Sequence, residues 1–250
     1  MSTPEPSDGL TRLEELLFPD LHLSIDGASR SAMLGWGLFF TVLHQVEAML
    51  YLHRNGCCFA AAPNRRTAIE YAVGLVWLAD QGDRVVDVLN RRHRNDQIQL
   101  ANRLREANLT ERFPPDVYQI LVDTVATELP PQTDERLRVD QLLEEYGYSA
   151  LKAYYHVESR FTHVSLTGIQ LFARDSKEGL LLGQRPLYEE LVPCQHFCLM
   201  VLFDAMLAFN TLLVGSPWTE ALMQVAADHD LPTQLPTRTV VPDIEAGGAG

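Results

Sequence analysis

The chain has 250 residues, of which 46% are hydrophobic, enough to bury a full core in a single domain. Its 33 acidic and 20 basic residues give a formal net charge of −13 at pH 7, which argues against a general surface for nucleic acid or anionic membrane. The N-terminus lacks a basic segment followed by an apolar run, and the most apolar stretch, Ala32 to Val42, is too short to span a bilayer. The four cysteines form no pattern of a secreted disulfide scaffold, so we expect a cytoplasmic protein.

Apolar residues recur with the period of amphipathic helices along most of the chain, and no segment alternates like a β-strand. We predict an all-α, single-domain bundle over residues 11–229, between disordered tails over 1–10 and 230–250. About six or seven main helices are expected, and the segment 174–186 is predicted to be a loop. The predicted helices cover residues 11–17, 31–54, 59–79, 83–107, 114–128, 136–146, 149–172, 193–214 and 218–228.

The predicted helix at 59–79 is apolar nearly all round, yet it carries Arg66 and Glu70 one turn apart. Burying a charge without partners costs several kcal/mol, so both side chains need further contacts. Three interpretations remain open: a structural ion pair that fixes how helices pack, a polar pocket for a ligand or reaction, or simple exposure near the start of the helix.

The predicted helix at 149–172 supplies possible partners for these charges. On one flank of an apolar stripe centred on Val157, it places the polar residues His156, Arg160, His163 and Thr167. These residues are either solvated boundary residues or they face Arg66 and Glu70 across the bundle. In the second arrangement His163 is preferred for proton transfer, because an imidazole changes charge near neutral pH.

The segments "NRRTAIEYAVGLVWLAD" at 64–80 and "YYHVESRFTHVSL" at 154–166 resemble a bacterial family, domain of unknown function 5677, over about residues 30 to 172. Its members have an Arg-x-x-x-Glu helix and, downstream, a helix with Tyr, Ser and His. The matching positions are Arg66, Glu70, Tyr155, Ser159 and His163. The resemblance implies an all-helical fold that groups these five residues, and it implies no activity.

Other chemistries are less well matched. HEPN-type ribonucleases carry an Arg and a His on one helix with about four to six residues between them, whereas Arg160 and His163 have only two residues between them. A metal site is conceivable only by combining His44, Glu47, Glu70 and His163. Cys194 and Cys198 share a helix face and are expected to be buried without a metal. The common phosphate-loop, dinucleotide-binding and serine-esterase motifs are absent from the sequence.

The resulting hypothesis is an enclosed polar site that binds, or does acid–base chemistry on, a small anionic ligand. Arg66 would hold the anion, Glu70 would orient Arg66 or act as a base, and His163 would transfer the proton. The binding residues at its edge are predicted to be Tyr155, Ser159, Arg160 and His156, and Asp204 and Asn210 are further buried polar residues expected to close the same pocket. No metal is predicted and no cofactor is identified.

Two alternatives concern partners. The chain could be a non-enzymatic, homo-oligomeric interaction or regulatory protein of a bacterial defence-type system, or a HEPN-like ribonuclease toxin. A membrane partner is not expected, and the acidic composition disfavours nucleic acid.

Overall fold

The computed structural model describes residues 5–17, 23–25, 29–109, 112, 138–163, 165–176, 179–183 and 193–239, with Thr167 and the strand residues described by their backbone alone. The chain divides into two compact units. The first contains residues 1–80 and 139–250, and the second contains residues 81–138.

The described residues confirm the all-α class. The helices are α1 Pro6–Leu17, α2 Arg30–Arg54, α3 Ala62–Gln81, α4 Asp83–Glu106, α5 Val139–Glu145, α6 Ser149–Thr162, α7 Leu166–Gln170, α8 Cys194–Asn210 and α9 Thr219–His229. A short 3₁₀ helix, Cys58–Ala61, joins α2 to α3.

A small antiparallel hairpin interrupts the helical pattern after α7. It pairs β1, Ala173–Ser176, with β2, Gly179–Leu182, and Ala173 lies opposite Leu182. The prediction of a loop over 174–186 was therefore wrong for its first half. Neither strand alternates apolar with polar residues, so the sequence carries no strand signal at either one.

The core of the first unit is built around α8. All residues from 201 to 210 are buried, because this helix is apolar on every side and packs against α1, α2 and α9. Aromatic rings join these elements: Phe39 of α2 stacks on Phe209 with centroids 4.6 Å apart, and both rings lie 5.9 Å from Trp218.

α2 is long and apolar enough to cross a membrane, a property of length and composition that core helices share. One of its faces, carrying Phe39, Val42, Val46 and Met49, is buried in the first unit. His44 and Glu47 of the same helix are exposed, and His44 Nδ1 lies 3.0 Å from Glu47 Oε2. The helix thus has the amphipathic pattern of a core element.

The second unit contains α4, whose polar sequence buries only Val85, Val86, Val88, Ala101 and Leu104. Gly82 precedes it with a φ of +57°, a backbone conformation that glycine adopts without strain. The helix predicted from Pro114 to Glu128 lies outside the described residues.

The ends of the first unit differ from the predicted tails. α1 begins at Pro6 and buries Leu10 and Leu13, so helix formation starts within the predicted tail over 1–10. Near the other end, Arg238 places its Nε 2.7 Å from an oxygen of the buried Glu145, and the amide of Thr239 donates to the Glu145 carbonyl at 2.8 Å. These two contacts attach Arg238 and Thr239 to α5, and Arg238 supplies the charged partner that a buried carboxylate requires.

Candidate functional site

The guanidinium of Arg66, in the first turns of α3, forms hydrogen bonds with three side chains. Its Nε donates to Glu70 Oε1 at 3.0 Å, one turn along the same helix. Its Nη2 donates to the Tyr155 hydroxyl of α6 at 3.1 Å, and its Nη1 lies 2.6 Å from His163 Nε2. We call these four residues, Arg66, Glu70, Tyr155 and His163, the Arg66 cluster.

Tyr155 and Glu70 close a ring of hydrogen bonds on one edge of the guanidinium. The Tyr155 hydroxyl donates to Glu70 Oε1 at 3.1 Å while it accepts from Arg66 Nη2. The guanidinium carbon lies 5.0 Å from the centre of the Tyr155 ring, within reach of a cation–π interaction. The Arg66 side chain is therefore held in one orientation from both helices.

The Arg66 cluster is half-buried, whereas we expected an enclosed site. The side chains of Arg66 and Glu70 are 26% and 30% exposed, and His163 is exposed. Burial alone lowers the pKa of Arg66, but the hydrogen bonds and charges of Tyr155 and Glu70 outweigh it and raise that pKa. The pKa of Tyr155 is raised, first by burial and then by the charge of Glu70, although Arg66 opposes the shift. Both groups keep their protons at neutral pH.

The bonding pattern shows what the cluster can offer to a ligand. A guanidinium only donates, so His163 Nε2 must accept from Arg66, which assigns the imidazole proton to Nδ1. Three of the five N–H groups of Arg66 are used by the cluster. Within the described chain, both bonds to Glu70 go to Oε1. Two N–H groups of Arg66, the Nδ1–H of His163 and Glu70 Oε2 therefore have bonding capacity for a ligand.

His163 reaches Arg66 from a different backbone position than predicted. α6 ends at Thr162, and His163 has an extended backbone with φ −112° and ψ 157°. Ser165 then caps α7 by accepting from the Gly168 amide at 3.0 Å. The predicted helix over 149–172 is thus two helices with a break, and His163 points from that break rather than from a helical stripe.

The other predicted binding residues lie outside the hydrogen-bond network around Arg66. Ser159 donates to the Tyr155 carbonyl at 2.6 Å, a bond within α6 that leaves Arg66 untouched. His156 is exposed and contacts the cluster only through the Tyr155 ring, with centroids 5.8 Å apart. Arg160 is exposed, and it does not share a helix with His163, so this pair does not form the arrangement of a HEPN nuclease.

A buried ion pair beside the cluster was missed from the sequence. Arg65 Nε lies 2.9 Å from Glu158 Oε1, with side chains only 6% and 3% exposed, and Arg65 Nη1 donates to the Cys58 carbonyl at 3.1 Å. A buried ion pair was expected between Arg66 and Glu70. The pair that is buried is instead formed by Arg65 and Glu158, and it joins α3 to α6. The sequence signal for its burial was helical spacing. Arg65 precedes Ala68 and Ile69 by one turn, so it shares a face of α3 with these two fully buried residues.

Asp204 and Asn210 belong to other parts of the core. Asp204 of α8 is buried near the Tyr148 hydroxyl, but the two groups do not reach good hydrogen-bond geometry. Burial raises the pKa of Asp204 to about 7. Asn210 accepts from the Trp218 amide at 2.9 Å and donates to Thr219 at 3.0 Å, so it orders the start of α9. The prediction that both residues close the pocket around Arg66 was not met, since neither hydrogen-bonds to the cluster.

The metal alternative has no support in the described part of the chain, where no group of three or more His, Cys, Asp or Glu side chains is placed to hold an ion. Cys194 and Cys198 are buried with their sulfurs 3.9 Å apart, and they are not joined by a disulfide.

Residues 33–180, more than half of the chain, match a protein family described as a family of unknown function, DUF5677. The chain belongs to this family. The matched segment includes α3, α6 and the break that follows α6, and hence every residue of the Arg66 cluster and the Arg65–Glu158 pair. No curated protein and no solved structure matches this DUF5677 chain.

Proposed function

We propose that this DUF5677 protein binds a small anion, a carboxylate or a phosphate, at the Arg66 cluster. The observation that carries the proposal is that three side chains hold Arg66, while two of its N–H groups, on a partly exposed side chain, have no partner among the described residues. A guanidinium fixed in advance loses little side-chain entropy on binding, and charge-assisted hydrogen bonds to an anion are strong.

The arrangement divides the roles among the four residues. Glu70 and Tyr155 occupy the edge of the guanidinium formed by Nε and Nη2, so they orient Arg66 and leave the region of Nη1 and His163 for the anion. His163 lies against Nη1, and an anion entering between the two groups would be bonded by both. His163 would then take up a proton, because an imidazolium can donate to the anion from either nitrogen.

Isothermal titration calorimetry with inorganic phosphate and with acetate tests the proposal. Arg66→Met should weaken binding by about tenfold or more, which is the loss of about 1.4 kcal/mol, while circular dichroism shows an intact helical protein. Arg92→Met is the matched control, because Arg92 is also a helical arginine paired four residues along, with Asp96 at 3.9 Å. Wild-type protein that binds neither anion, or Arg66→Met protein that binds as well as wild type, would overturn the proposal.

Proton uptake provides a second test of the role of His163. Titrations in two buffers of different ionisation enthalpy should show net proton uptake on anion binding, and His163→Gln should remove it. Anion binding without proton uptake would leave Arg66 as the binding group and refute the acid–base role of His163.

A second candidate function is self-association as a non-enzymatic interaction protein. It is favoured by Met33 and Trp36, which lie three residues apart on one face of α2 and are 53% and 38% exposed. Size-exclusion chromatography with light scattering should then report a dimer or larger species, and Met33→Glu should dissociate it. A monomer at all concentrations tested would exclude this function.

A further inference from the structure

A thiol and an imidazole meet where α2 turns into the 3₁₀ helix, outside the Arg66 cluster. Cys58 Sγ lies 3.4 Å from His53 Nδ1. The turn between them is a Schellman motif: the Cys57 amide donates to the Leu52 carbonyl at 2.8 Å, and the Gly56 amide donates to the His53 carbonyl at 2.9 Å. Gly56 has the positive φ, +68°, that this motif requires. The contact between Cys58 and His53 is therefore built by the end of the helix.

The chemistry of this pair differs from that of the neighbouring thiol. The thiolate is the reactive form of cysteine, and a nearby imidazole can accept the thiol proton. His53 lies in the last turn of α2, where the helix dipole favours a positive charge on its side chain. Cys57 is more exposed than Cys58, but its sulfur faces the Asn55 carbonyl at 3.6 Å, which cannot take a proton.

We propose that Cys58 is a reactive thiol, with His53 as its base, and that it is a site of oxidation by hydroperoxides. In the reaction the thiol proton passes to His53 Nδ1 and the sulfur attacks the nearer peroxide oxygen. The S–O bond forms as the O–O bond breaks, and the leaving oxygen takes the proton from His53. Cys58 is thereby oxidised to a sulfenic acid, and the hydroperoxide is reduced to water or an alcohol.

Three charged side chains of the described chain lie on or beside the segment that carries this pair: Arg54, Arg65 and Glu158. Arg54 follows His53 on α2 and is exposed. From α3, Arg65 donates to the Cys58 carbonyl at 3.1 Å, and from α6, Glu158 lies 2.9 Å from Arg65. Because the carboxylate of Glu158 largely neutralises Arg65, we assign the stabilisation of a thiolate at Cys58 to the imidazole of His53, 3.4 Å away.

Alkylation of the reduced full-length protein by iodoacetamide, followed by mass spectrometry at single-residue level, tests this role. At pH 7 Cys58 should react faster than Cys57 although it is less exposed. His53→Asn keeps a polar atom near the position of Nδ1 but removes the base, and it should slow Cys58 by about fivefold or more, since an ordinary thiol is only a few per cent ionised at pH 7. His44→Asn, which changes an exposed histidine of the same helix, should leave the rate unchanged.

The pH profile separates a base from a merely structural role. Between pH 6 and 8 the rate at Cys58 should rise less steeply in the wild type than in His53→Asn, in which it should rise about tenfold per pH unit, as for an ordinary thiol. Hydrogen peroxide should also produce a dimedone-trapped sulfenic acid at Cys58 in the wild type and not in the variant.

Three outcomes would overturn the proposal: a rate at Cys57 equal to or above that at Cys58, an unchanged rate in His53→Asn, or a slower rate with an unchanged pH profile. The buried Cys194 and Cys198 report folding in the same experiment, because they become alkylated only if the variant unfolds. The comparison of Cys57 with Cys58 uses wild-type protein alone, so it stays decisive even if His53→Asn does not fold.

Discussion

Two adjacent arginines on α3 should respond very differently to the same substitution. Arg65 pairs with Glu158 where both side chains are almost completely buried, whereas Arg66 pairs with Glu70 where both are more than a quarter exposed. Replacing either arginine with Met keeps an unbranched apolar side chain in place and removes the charge. The comparison therefore isolates the effect of burial on an ion pair.

The expected magnitudes follow from that burial. Arg65→Met leaves the Glu158 carboxylate inside the protein without its guanidinium, which should lower the free energy of unfolding by about 3–5 kcal/mol. Arg66→Met removes an ion pair and hydrogen bonds that are partly replaced by water, so we expect a loss of about 1 kcal/mol. In Arg65→Met/Glu158→Met neither position carries a charge, and most of the stability lost in the single variant should return.

Urea unfolding followed by tryptophan fluorescence measures these differences within one structural unit. All three tryptophans, Trp36, Trp77 and Trp218, lie in the unit formed by residues 1–80 and 139–250. Equal losses in the two single variants would refute the division into a structural and a ligand-binding arginine. A double variant less stable than Arg65→Met would show that the packing of Glu158 matters more than its charge.

Two further predictions concern other buried carboxylates. Because burial raises the pKa of Asp204 from 3.8 to about 7, the folded protein binds the carboxyl proton more tightly than the unfolded chain does. The free energy of unfolding should therefore fall as pH rises from about 4 to about 7, by on the order of 4 kcal/mol. Asp204→Asn should abolish this decline, as urea unfolding at pH 5, 6, 7 and 8 would show, and an unchanged slope would contradict the assignment. Arg238→Ala removes the charged partner of the buried Glu145, so it should cost about 1–3 kcal/mol and expose residues 231–239 to limited proteolysis; proteolysis at the wild-type rate would argue against this anchor.

The positions and approximate lengths of helices could be predicted well from the sequence wherever a segment contained a long run of apolar residues. α8 was expected over 193–214 and is found at Cys194–Asn210, because an apolar run of this length between Pro193 and Gly215 has few alternatives to a buried helix. The ends of the unit were less predictable. Attachment of Arg238 to Glu145 spans 93 residues of sequence, and no local pattern reports such a contact.

For the Arg66 cluster, the contact within one helix was predicted correctly, whereas the backbone position of His163 was not. The spacing of Arg66 and Glu70 gave their contact directly, as i and i+4 on one helix. The position of His163 was inferred from a continuous helix over 149–172, yet α6 stops at Thr162. His163 still reaches Arg66, because it directly follows α6, whose Tyr155 also contacts the Arg66 guanidinium.

The missed pair shows why helical phase is hard to read in this chain. α6 was assigned an inward face centred on Val157, but the residues it buries are Leu151 and Glu158. A change of one position rotates the assigned face by about 100°, which is enough to move a charge from solvent to core. α3 offered no correction, since it is apolar on nearly all sides and its periodicity marks no single buried face.

The same rotation explains how α3 can carry two arginines with different roles side by side. Adjacent residues point about 100° apart, so when Arg65 is directed into the core toward Glu158, Arg66 must emerge at the rim of the contact between α3 and α6. The buried pair and the Arg66 cluster both join α3 to the segment of α6 and His163, so we expect a change in the pair to shift the contacts of Tyr155 and His163 with the Arg66 guanidinium. A substitution at Arg65 that leaves the protein folded should therefore weaken anion binding indirectly. The double variant Arg65→Met/Glu158→Met should recover stability without the ionic contact, so it can measure how far anion binding at Arg66 depends on that contact.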